Sequence, residues 1–120
     1  MTFTEFTRTA RPRPPGRPDI DVAIALVARE TGIACAAILD EGRCETAIAD
    51  ARHLAIYLAH VILGHGMARL AAVFGRDRAS LRHALRRVED RRDDPRFDRW
   101  LSGLEAVLLP LRHCGIGRGA

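Results

Sequence analysis

Two apolar stripes at helical spacing, separated by a three-residue turn, constrain this chain more than any other feature. Met67, Leu70, Ala71 and Phe74 fall at i, i+3, i+4 and i+7, which marks one face of a short helix. Leu81, Ala84, Leu85 and Val88 repeat that spacing. Between them stands Gly75–Arg76–Asp77. Glycine accepts the left-handed backbone that side chains resist, and Asp77 is placed to cap whatever follows. A short helix, a tight glycine turn and a second helix form the layout of a helix-turn-helix, although an ordinary hairpin in a bundle satisfies the same pattern. A rotation of about 100° per residue sets Ala79, His83 and Arg86 opposite the second stripe, flanked by Arg82 and Arg87. Basic and small residues facing outward near the start of a core-facing helix are what a recognition helix requires.

The rest of the chain also reads as helices. Asp19 or Asp21 can cap a first helix that turns Ile20, Ile24, Val27 and Ala28 inward and ends at Gly32. A second, short helix over 33–39 presents Ile33, Ala36 and Leu39. A loop through Arg43, Cys44 and Glu45 leads to a longer helix with Leu54, Ala55, Leu58, Val61 and Ile62 on one stripe, stopped by Gly64–His65–Gly66. Asp94 and Pro95 open a last helix that carries Phe97, Trp100 or Leu101, Leu104 and Leu108 as far as Pro110. Aromatic residues are only 5% of the chain, which disfavours a sheet. The expected fold is all-α, with about six helices and a helix-turn-helix. Residues 1–18 hold four prolines and four arginines and should form a disordered arm. The domain proper is expected over 19–109, with a flexible tail over 110–120.

Charge narrows the choice of partner. All 19 basic residues are Arg, set against 15 acids. The excess is uneven: 76–92 holds seven Arg and three acids, a local +4, whereas 40–60 sums to −2. One focused basic strip is a footprint for phosphates, although a solvated helix face has the same composition. No apolar stretch approaches the ~20 residues of a membrane span, and no apolar leader opens the chain. Cys35, Cys44 and Cys114 form no Cys-x-x-Cys pair and read as reduced thiols. His53 and His60, seven apart on one helix with Tyr57 between them, have no third ligand at metal spacing. No phosphate-binding loop and no lysine to complete one are present. Catalytic residues, a cofactor, a metal and a bound nucleotide are therefore not expected.

Three blocks carry a resemblance to a known family. They are Ala36–Ala37–Ile38–Leu39, the run Ala49–Asp50–Ala51–Arg52–His53–Leu54–Ala55, and Phe74–Gly75–Arg76–Asp77–Arg78–Ala79–Ser80–Leu81–Arg82–His83–Ala84. Over roughly Val22 to Leu108 the chain resembles the C-terminal, origin-binding domain of the bacterial replication initiator DnaA, a helical relative of the Trp repressor. The resemblance implies a free-standing DNA-binding domain without the initiator's ATPase. It implies that Asp77 and Ser80 meet bases and backbone in the major groove. Arg78 replaces the family's His and can pair bidentately with guanine or hold a phosphate. Ala79 replaces a Thr and offers a methyl to thymine, while His83 and Ala84 match the signature. Arg52, Arg69, Arg76, Arg82, Arg86 and Arg87 complete the expected DNA-binding set.

The segment from Arg43 to Asp50, read as a loop, carries acids where family members often carry Arg or Lys. It motivates a second reading, a protein-interaction module or transcriptional regulator that kept the fold. The first reading expects double-stranded DNA as partner, replication-initiation proteins beside it, no membrane, and a cytoplasmic, nucleoid-associated location.

Overall fold

The computed structural model describes residues 18–40 and 45–113, and all its regular structure is helical. The six α-helices are α1 (Pro18–Thr31), α2 (Cys35–Leu39), α3 (Thr46–Tyr57), α4 (Met67–Phe74), α5 (Arg78–Arg91) and α6 (Pro95–His113). The expected N-terminal arm, Arg43, Cys44 and Cys114 lie outside the described residues, apart from the arm's last residue, Pro18, which opens α1.

The core is built around α3. Ala51, Leu54, Ala55, Ile56 and Tyr57 are all buried, so this helix is enclosed on most sides. Its surroundings are Ile20, Ile24 and Val27 of α1, Ile38 of α2, Leu70 and Phe74 of α4, Leu81 and Val88 of α5, and Leu101, Leu104 and Leu108 of α6. The expected stripes of α4 and α5 are recovered, with Val73 added to the first and Leu85 only half-buried in the second.

Four local readings need correction. Asp19 is not a cap: it sits inside the first turn of α1, is 7% exposed, and accepts from His65 Nε2 at 3.1 and 3.2 Å. That bond ties the start of α1 to the turn before α4. In α2 the buried residue is Ile38, while Ala36 is exposed, because the helix begins at Cys35 rather than at residue 33.

The stripe of α3 breaks at its end, where Leu58–Ile62 forms a π-helical turn. Leu63 N–H reaches back five residues to Leu58 O at 3.2 Å. The extra residue in that turn rotates Val61 out to 39% exposure and brings Leu63 into the core. Gly64, at φ +81°, then ends the helix. Finally, α6 does not stop at Pro110 but runs through it to His113. Proline removes one N–H whose acceptor would be Ala106 O; both residues are exposed, so water can serve that carbonyl. Leu111 packs against the core beyond the proline and keeps the last turn seated.

Candidate nucleic-acid interface

The turn between α4 and α5 is built as its residues dictate. Gly75 adopts φ +65°, ψ +36°, and its N–H closes on Ala71 O at 2.9 Å. Asp77 then caps α5, with Oδ1 accepting from Ser80 N–H at 2.8 Å. That hydrogen bond holds the Asp77 carboxyl below the usual carboxylate range, with Arg82 adding to the effect. A cap of this type stabilises the start of the helix by satisfying one of its free N–H groups. It also fixes the orientation of the first turn of α5, which carries the side chains of interest.

Those side chains face outward. Arg78, Ala79, Ser80, Arg82, His83, Arg86 and Arg87 are all exposed, opposite the buried face of Leu81, Ala84 and Val88. Arg69 on α4 is half-exposed. Beside the exposed face runs a groove of about 490 Å³ between α3 and the turn that opens α5. Ala49, His53 and Ile56 form its α3 wall; Arg76, Asp77, Ser80 and His83 face them.

Two arginines expected on the basic surface, Arg52 of the DNA-binding set and Arg92 of the strip, leave it. Arg52 is only 4% exposed. Its Nε donates to Ile38 O at 2.8 Å, and its Nη2 donates to Asp40 O at 2.8 Å and Ala37 O at 3.3 Å. A guanidinium so engaged has its donors directed at backbone, so the expectation that Arg52 contacts DNA is replaced by a structural role. Arg92, counted in the basic strip, is turned inward as well. It pairs with Asp98 and with Glu105 (2.7 Å), and donates to Tyr57 Oη at 3.1 Å and Ser102 Oγ at 3.0 Å. The bonds to Glu105, then those to Asp98 and Tyr57, push its pKa further above the ordinary arginine value. Arg91 stacks over the Phe97 ring at 4.0 Å. The exposed positive charge of α5 is thereby concentrated in Arg78, Arg82, Arg86 and Arg87.

The expected acidic loop is largely helix. Residues 46–50 form the first turns of α3, and only Glu45 among the described residues stands outside it. His53 has no expected role in DNA contact. It meets His83 rather than His60, with ring centroids 5.8 Å apart in an edge-on arrangement. His60 instead donates from Nδ1 to His65 O at 2.9 Å. The signal for His53 was available in the spacing of Ala49, His53 and Ile56, which sets them on one helical face. What that face meets, however, depends on where α5 packs.

Burial lowers the His53 pKa below its ordinary 6.5; His83, Arg87 and Arg52 lower it further, while Asp50 acts against them. The folded protein therefore binds this proton less readily than the unfolded chain. The associated stability is fully present above about pH 6.5 and is lost as pH falls through the lower folded value. Melting temperatures measured at about pH 7.5 and pH 5 should differ less for His53→Gln than for the parent. An unchanged difference would place the acid sensitivity elsewhere.

Among the described residues no three His, Cys, Asp or Glu side chains cluster to hold a metal, and no helix is long and apolar enough to cross a membrane. Residues 20–88 match the family model of the bacterial dnaA protein helix-turn-helix. No curated protein and no solved structure matches the chain.

Proposed function

The chain belongs to the bacterial DnaA helix-turn-helix family, and from that premise we propose that it binds duplex DNA with a preference for particular sequences. The family is one of DNA-binding, non-enzymatic domains related to replication initiation. In our reading the first turns of α5 enter the major groove, where Arg78, Ala79 and Ser80 meet base edges and Asp77 orients them. Arg82, Arg86, Arg87, Arg69 and the turn residue Arg76 grip phosphates on either side. Binding needs no nucleotide hydrolysis by this chain. Its sites resemble those of the initiator, so it occupies or competes for them in the nucleoid, beside replication-initiation proteins.

The observation that carries this reading is the division of α5. One face is packed against α3 through Leu81, Ala84 and Val88, and the other presents four exposed arginines. A solvated helix face needs no such concentration of one sign.

Salt dependence provides the test. Each phosphate neutralised releases counterions and contributes about −0.9 to the log–log slope of affinity against salt. Three or four contacts predict a slope of roughly −3 to −4 on random duplex fragments. Selection from a random duplex pool should then recover a preferred site. No duplex binding at low salt, or a slope near zero, would sink the proposal and leave the protein-interaction module.

A further inference from the structure

Two guanidinium groups from distant parts of the chain meet at one backbone oxygen. Arg52 Nη2 donates to Asp40 O at 2.8 Å, and Arg76 Nη2 donates to the same oxygen at 3.2 Å. Asp40 is the C-cap residue of α2. Arg52 belongs to the central helix, and Arg76 is the middle residue of the helix-turn-helix turn. Three elements are thus joined at the end of α2.

The arrangement answers two needs. A five-residue helix cannot hold itself, since nucleation costs more than so few hydrogen bonds return. Its last carbonyls carry the partial negative charge of its C-terminus and are short of N–H donors, the Asp40 N–H reaching Ala37 O at 3.2 Å. The planar fork of Arg52 reaches three of these oxygens at once, a geometry that a lysine ammonium cannot reproduce. Once the Asp40 carbonyl is fixed, it becomes the anchor for Arg76, and Arg76 lies next to the residue that caps α5.

We infer that Arg52 is a positioning residue for DNA recognition: with Arg76 it clasps the end of α2 and so fixes the turn, and the first residues of α5, against α3. The inference takes its functional meaning from the DNA-binding reading, but the clasp can be tested without DNA. It differs from a phosphate contact in a measurable way, because opening it at Arg52 should misplace the recognition turn without changing the number of neutralised phosphates.

The experiment uses the full chain with Arg52→Lys, which keeps a charge near the site, and Arg76→Ala, which opens the clasp from its more exposed side. Amide exchange is followed at Asp40, bonded to Ala37 O, and at Arg76, bonded to Ala71 O. Both variants should accelerate exchange at both amides while leaving α6 protected. Arg52→Lys should weaken binding to the preferred duplex roughly 3- to 30-fold, the span of typical through-structure couplings. A third variant, Arg52→Gln, removes the charge, and its salt slope should equal that of the parent. A slope reduced by about one unit would make Arg52 a phosphate ligand and overturn the inference. So would faster exchange at Asp40 alone, with parental affinity, since that describes a local helix cap. If the parent binds no duplex yet both amides respond, the clasp stands and the DNA-binding reading falls. Should Arg52→Lys fail to fold, the Arg76→Ala exchange pattern decides alone.

Discussion

Arg78→Ala is expected to cost about 1–3 kcal/mol of binding on the preferred duplex, the usual range for a bidentate contact to a base. At 1.4 kcal/mol per factor of ten, that is a loss of roughly 5- to 150-fold. Arg78 is the first residue of α5, exposed and held at the mouth of the turn by the Asp77 cap. Losing it should relax preference at one or two base pairs and leave scrambled duplexes much less affected. Arg86 lies two turns further along the same face, where the helix leaves the groove, and should contact backbone. Arg86→Ala should therefore weaken all sequences about equally and reduce the salt slope by about one unit. Neither side chain touches the buried face of α5, so circular dichroism should match the parent. Specific and scrambled duplexes have to be compared at one salt concentration. If Arg78→Ala lowers both affinities equally while Arg86→Ala selectively loses the specific site, the groove-facing end of α5 has been assigned backwards.

The second large effect is on folding. Phe74→Ala should destabilise the protein by about 3–5 kcal/mol, the range for removing a buried aromatic ring and leaving its cavity. Phe74 is fully buried at the end of α4, within the cluster formed by α3 and α5. For a domain of this size each kcal/mol moves the melting temperature by about 4–8 °C, so the melt should fall by some tens of degrees. Against a total stability of about 5–15 kcal/mol, the variant is at most marginally folded. Its DNA affinity should fall with the folded fraction, in contrast to Arg78→Ala, where affinity falls at parental stability. A melting point within a few degrees of the parent would show that α4 does not depend on this ring for its packing.

Much of the fold was legible because helices are local objects. The i, i+3, i+4, i+7 spacing in α4 and α5, the glycine between them and the acidic cap are all contained within 22 residues of sequence. The Asp94–Pro95 start of α6 was legible for the same reason: Asp94 Oδ1 accepts from Arg96 N–H at 3.0 Å, two residues away. The family resemblance pointed to the same turn, and the family match covers it.

The readings that failed concern groups whose fate depends on another element. A guanidinium on the surface and one in the core look alike in a sequence. Arg52 is buried because α2, 12–15 residues earlier, brings the carbonyls of its C-terminal end to it. Arg92 turns inward because Glu105 and Tyr57 approach it from α6 and α3. Likewise, His53 became part of the groove wall only when α5 docked across α3 and set His83 against it. The sequence alone therefore determined the helices, their faces and the position of the recognition turn, since each is decided by neighbours within about two helical turns. Tertiary structure decided which charges remain for a partner. A long cation in a folded chain goes to whichever acceptors packing brings within reach, and desolvating it is tolerable only where those acceptors already stand.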